Sequence, residues 1–201
     1  MLHNKLLTKE NIDEIFTCFA LNCLKDNNHP SKIEIYMVGG GAIMLNFDYR
    51  LSTIDFDAFF IKDEVVNAAI KETAKEKHLP SDWLNQDFVN TPSFSSKIVQ
   101  VSKLYKVYHD IVYLYSLEPV YLIAMKLKSS RPTGGDLDDI IKMIFELRLN
   151  KVDITYEQII DAYKHLYNDF SHTYSYFFEK TKKAFEADEE EMTATLKKHH
   201  F

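Results

Sequence analysis

Three of the chain's five glycines stand side by side, at Gly39, Gly40 and Gly41. Glycine is scarce elsewhere, so the run marks a tight turn and a close approach to the backbone, with a phosphate as the natural visitor. Ile33 to Val38, just before it, is rich in β-branched and aromatic residues and reads as a strand. Ala42 to Asn46 reads as the first turns of a buried helix. A strand that turns through glycines into a helix presents backbone N–H groups at the positive end of a dipole, an anion site. Thr53 to Ile61 reads as a second strand carrying Asp55 and Asp57. At a spacing of two, both carboxylates leave one face, while Ile54, Phe56 and Ala58 point into the core. Two carboxylates this close repel each other unless a cation sits between them. Mg²⁺ is the natural partner, because it takes one or two carboxylates together with substrate phosphates. Read without their surroundings, the acids fit a solvated strand face better than a metal site. Beside the glycine turn they describe phosphoryl or nucleotidyl transfer.

The remaining chain places these features in an α+β fold. Thr8 to Asn11 opens a helix with Ile12, Ile15, Phe16, Phe19 and Cys23 on one stripe. Asp63 to Lys77 is a helix with Val65, Val66, Ala69 and Ile70 inward. Leu79 to Leu84 reads as a turn and a short helix. Ile98 to Val101 and Tyr105 to Tyr115 read as one strand or a hairpin. Helices are expected over Glu118–Lys128, Leu137–Leu149, Thr155–Tyr167 and Tyr174–Lys198. The fold expected is a small mixed sheet flanked by helices, residues 1–117, followed by a helical domain packed on it, residues 118–201.

The order of motifs resembles the polymerase-β-like nucleotidyltransferase superfamily. Gly40-Gly41, a spacer of thirteen residues and Asp55-Phe56-Asp57-Ala58 fit its small-residue pair and acid-hydrophobic-acid run. Arg50-Leu51-Ser52-Thr53-Ile54-Asp55-Phe56-Asp57 is similar to the corresponding stretch of the minimal, AbiEii-like branch, several of whose members are toxins of toxin–antitoxin pairs. Leu79-Pro80-Ser81-Asp82-Trp83-Leu84-Asn85 and the block from Glu118 through Lys126-Leu127, Arg131-Pro132 and Asp136-Leu137-Asp138-Asp139-Ile140 resemble further segments of such proteins. Gly135 stands where that block has an arginine. The resemblance implies an NTP whose phosphates lie on Gly39, Gly40 and Gly41, with Arg50 and Thr53 beside them. It implies Mg²⁺ or Mn²⁺ on Asp55, Asp57 and a third carboxylate, for which Asp110 is the candidate, also as catalytic base, with Asp136 or Asp139 as the alternative. Lys126 and Arg131 would neutralise triphosphate charge, near Asp136 and Asp139. The acceptor implied is an RNA end such as tRNA, or a protein side chain, with a cognate antitoxin as partner. A catalytically silent nucleotide-binding protein and an antibiotic-modifying enzyme share these motifs.

Each residue also has a plainer reading. Asp110 fits a strand end. Lys126 fits a lysine snorkelling from an apolar helix. Arg131 fits a partner for Asp136 or Asp139, which themselves fit an acidic first turn favoured by the helix dipole. Arg50 pairs with Asp57 or with a phosphate. Trp83 serves as a lid or as a core anchor. Among the tyrosines, Tyr156, Tyr163, Tyr167, Tyr174 and Tyr176 fit bundle packing or a partner surface. His165 and His172 lack metal-ligand spacing. The net charge of −6 gives no global basic footprint for nucleic acid. Cys18 and Cys23 form no CxxC motif and read as reduced thiols, the chain shows no signal-peptide pattern, and a cytoplasmic protein without a membrane partner is expected.

Overall fold

The computed structural model describes residues 6–131, 133–168 and 175–197. The chain divides into two compact units, Met1–Phe88 with Ser102–Leu117, and Val89–Val101 with Glu118–Phe201. The segment before the hairpin, read as part of the α/β half, thus belongs to the helical unit.

The first unit begins with β1 (Leu7–Thr8), α1 (Ile12–Leu24), β2 (Ile33–Met37), α2 (Gly39–Asn46), β3 (Ser52–Thr53) and β4 (Phe56–Phe59). It continues with α3 (Glu64–Lys77), β5 (Leu84–Asn85), β6 (Ser102–Tyr108) and β7 (Val112–Leu117). Five strands form one mixed sheet in the order β5-β4-β2-β7-β6, in which β2 runs parallel to β7 and antiparallel to β4. Alternation decides what each face carries. Ile33, Ile35, Met37, Phe56, Ala58, Val112 and Leu114 are all buried. On this side the Phe16 ring of α1 meets those of Phe56, Trp83 and Tyr108 at centroid distances of 5.9, 5.6 and 5.5 Å. Trp83 is fully buried and donates its indole N–H to the Ile70 carbonyl at 3.1 Å, so it is a core anchor. The stripe expected on α1 is buried throughout. Asp63 caps α3 by accepting from the Val66 N–H at 2.8 Å. The alternate residues of the sheet, Tyr36, Phe59 and Tyr115, form an aromatic row, with Tyr36 stacked on Tyr115 at 4.7 Å.

The second unit holds α4 (Pro119–Ser129), α5 (Asp136–Leu149), α6 (Tyr156–Leu166), α7 (Ser175–Ala184) and α8 (Glu189–Lys197). α4 packs against α5 and α6, and α5 against α7 and α8. The 89–101 segment is sewn to α6 and, where a strand was expected over Ile98–Val101, forms a 3₁₀ turn at Ser96–Val101. Ser95 donates to the Leu166 carbonyl at 2.9 Å, and the Tyr167 hydroxyl donates to the Ser93 carbonyl at 2.6 Å.

Four local expectations are corrected. The strand read as Thr53 to Ile61 is broken at residues 54 and 55, because β3 is drawn aside to pair with β1. Ile54 is consequently 69% exposed instead of lying in the core. The segment after Trp83 is a strand pairing parallel with β4, not a helix. The glycines do not precede a helix; they are its first turn. The helix read as Tyr174–Lys198 is two helices, divided where Asp188 accepts from the Glu191 N–H at 2.9 Å and starts α8. Its expected ends, together with Pro132, His172, His199 and His200, lie outside the described residues.

Candidate active site

The three glycines meet three different constraints. Gly39 has φ +56°, a left-handed conformation that disfavours any side chain, and a Cβ there would stand 3.3 Å from Asp57 Oδ2. A Cβ on Gly40 would come within 2.8 Å of an Arg50 Nη2 and 3.0 Å of Thr53 Oγ1. One on Gly41 would strike the Phe56 ring at 2.6 Å and the Met37 sulfur at 2.8 Å. The first two contacts show that Arg50, Thr53 and Asp57 converge on the glycine turn. The third seats α2 against the sheet. The Thr53 hydroxyl donates to the Asp55 carbonyl at 3.1 Å, which ties the broken strand to the turn. Val38 donates its N–H to the Asp57 carbonyl at 2.9 Å, fixing the acidic strand beside the end of β2. The first-turn N–H groups of α2 have no acceptor within their own helix, a general property of helix starts that suits an anion.

Asp55 precedes β4 and Asp57 lies on it, with fully buried Phe56 between them. Both acids are half-buried. Their common face is fixed by a residue the sequence reading left without a role. Asn85 on β5 is the register partner of Asp57, and its Nδ2 donates to Asp55 Oδ2 at 3.1 Å. A signal for Asn85 was present, as a carboxamide closing the Trp83-Leu84-Asn85 run. It was hidden because a two-residue strand has no periodicity to detect. Among the described residues, no group of three or more His, Cys, Asp or Glu side chains forms a closed metal cage. Asp57 on β4 and Asp55 just before it, beside a turn whose N–H groups suit an anion, instead fit a hard cation that completes its shell with water and phosphate.

Asp110 does not belong to this site. It lies in the three-residue connection between β6 and β7, exposed, where His109 and Asp110 have φ +49° and +56° and Ile111 donates its N–H to the Tyr108 carbonyl. Such primed turns favour Asp for its tolerance of positive φ. The pairing of Ile33 with Val112 and of Met37 with Ser116 puts the turn at the end of β2 away from the glycines. The separation is at least roughly 13 Å along the strands. Asp110 is therefore neither the third metal ligand nor the base.

Lys126, Arg131, Asp136 and Asp139 form a cluster of their own in the helical unit. The Lys126 ammonium lies 2.8 Å from Asp136 Oδ1 and 2.8 Å from Asp139 Oδ2. Arg131 closes a fork on Asp136, with Nε to Oδ2 and Nη2 to Oδ1 both at 3.0 Å, and adds its backbone N–H at 3.0 Å. Asp136 is fully buried. Burial alone would raise its carboxyl pKa, yet Arg131 and Lys126 hold it well below the ordinary range. Gly135, in the place of the expected arginine, starts α5 at φ +74°, a conformation that arginine resists. The fork on Asp136 matches the plainer reading of Arg131, whereas the Lys126 ammonium does not snorkel to water but is buried between Asp136 and Asp139.

No curated protein and no solved structure matches the chain. The model of one family, described as a nucleotidyltransferase of unknown function (DUF6036), matches residues 14–191. The matched span takes in the glycine turn, both acids, Asn85 and the α4–α5 cluster, and so the chain belongs to this nucleotidyltransferase family.

Proposed function

We propose that the protein is a metal-dependent nucleotidyltransferase that moves an NMP from an NTP to an acceptor hydroxyl. The observation that carries this reading is the convergence of Gly39, Gly40, Arg50, Thr53 and Asp57 at the start of α2, with Asp55 joined to them. The first-turn N–H groups of α2 receive the phosphates, and Arg50 supplies positive charge beside Gly40. Asp55 and Asp57 would hold a divalent cation, Mg²⁺ or Mn²⁺, which would supply Lewis-acid polarisation and charge neutralisation of the phosphates. The acceptor oxygen forms the new bond to the α-phosphorus, the α–β bridge breaks, and pyrophosphate leaves as the hydroxyl proton passes to solvent. The AbiEii-like motifs favour an RNA end or a protein side chain as acceptor, and a toxin with its cognate antitoxin as the setting.

The test is incubation with each α-labelled NTP, Mg²⁺ and total RNA or lysate, for wild type and Asp57→Ala. The expected outcome is label on a macromolecule, reduced about 100-fold or more by the substitution, since a lost metal ligand removes several kcal/mol of transition-state stabilisation. Transfer that survives Asp57→Ala would sink the reading. One observation favours a second reading: the strand position level with Asp57 is neutral Asn85 rather than a third acid. A silent nucleotide-binding protein would bind an NTP in equilibrium dialysis and transfer no label to any acceptor.

A further inference from the structure

Among the described residues, β4 has two neighbours in the sheet, β2 and β5. Level with Asp57 stand the backbone of Val38, the residue after β2, on one side and Asn85 of β5 on the other. Directly level with Asp57, the side chain that an adjoining strand sets beside the acid pair is therefore that of position 85. Asn85 is 8% exposed, and its carboxamide is held from three sides. Oδ1 accepts from the Asp87 N–H at 2.8 Å, and Nδ2 donates to the Asp82 carbonyl at 3.3 Å and to Asp55 Oδ2 at 3.1 Å. Turning the amide over would face two oxygens with a third and set its NH₂ against an N–H. The 82–87 turn thus dictates that a donor points at Asp55.

We infer that Asn85 is the positioning residue of the acid pair: it pins the Asp55 carboxylate by its Oδ2, leaves Oδ1 for the cation, and adds no charge of its own to the site. This inference rests on the reading of Asp55 and Asp57 as the cation ligands. The neutral donor lowers the repulsion between the two acids before a cation arrives, which a carboxylate at the same place would increase. Groups that orient a metal ligand in this way typically change metal affinity by about 10–100-fold when removed.

The experiment is titration of the full chain with Mn²⁺ alone, followed by the spectrum of the free ion, with a thermal melt at each Mn²⁺ concentration. Wild type should bind one Mn²⁺ that Asp57→Ala abolishes. Asn85→Ala should weaken binding about 10-fold or more. Asn85→Asp, which keeps the shape and adds a charge, should melt lower than wild type without metal, bind Mn²⁺ more tightly, and gain more melting temperature from it than wild type gains. A purely structural role would lower both melts and leave their response to Mn²⁺ unchanged, and that result would overturn the inference. Wild-type-like affinity in Asn85→Ala would do the same. If wild type binds no Mn²⁺ that depends on Asp57, the ligand reading itself fails, an outcome distinct from normal wild-type binding with an indifferent Asn85.

Discussion

Neighbouring glycines in one helical turn should respond differently to the same substitution. Gly41→Ala drives a methyl into the Phe56 ring and the Met37 sulfur, both in the core, and should destabilise the protein by about 1–3 kcal/mol in chemical denaturation. Gly40→Ala meets mainly the end of the Arg50 side chain, which can swing away, so stability should stay near wild type. Its expected effect is weaker NTP binding, because the displaced guanidinium is the one at the turn. Gly39→Ala combines a left-handed backbone, unfavourable by about 1–2 kcal/mol, with crowding of Asp57, and should lower both stability and NTP binding. Calorimetric binding measured beside denaturation separates the three. The sequence made the cluster of glycines plain. Their division of labour was hidden, because each depends on a side chain brought in from a different strand.

At the scale of elements, the Lys126–Asp136–Arg131 knot fastens the start of α5 to α4. Asp136→Ala leaves a buried ammonium with one partner fewer and should destabilise the helical unit by about 3–5 kcal/mol. Because the Asp136 pKa is depressed by folding, its contribution is complete above the ordinary carboxyl value of 3.8 and is lost as pH falls below that value. The stability gap between wild type and Asp136→Asn should accordingly narrow as the pH of denaturation is lowered from about 4. The long helices were readable because Ile12, Ile15, Phe16 and Phe19 keep a helical period. Short strands were not. β3 and β5 are two residues each, too brief for alternation, and they exist only because β1 and β4 pair with them. The division between α7 and α8 was legible in principle, as Asp188 before three glutamates is a helix-start pattern. The apolar spacing across it masked the signal. Asp110 failed for another reason: its β-branched and aromatic surroundings suit a strand, and the positive φ of two successive residues is a property of the hairpin.

For the whole molecule, the chain leaves the sheet-bearing unit at Phe88, contributes Val89–Val101 to the helical unit, and returns for β6 and β7. Ending the chain at Leu117 would strip Ser93, Ile98 and Val101 of the residues that bury them within their unit, including Leu166 and Tyr167. Such a truncated chain should aggregate or lose near-ultraviolet circular dichroism. The full chain should give one sharp species by size exclusion. The excursion also has a consequence in time. β7 is the parallel partner of β2, yet its last residue, Leu117, is made about 80 residues after Met37. At about 5–20 residues per second, the inner edge of β2 waits roughly 4–16 s on the ribosome before its partner exists. During that interval the nascent chain carries an open strand edge next to its glycine turn, and any slowing of translation between those residues prolongs the exposure.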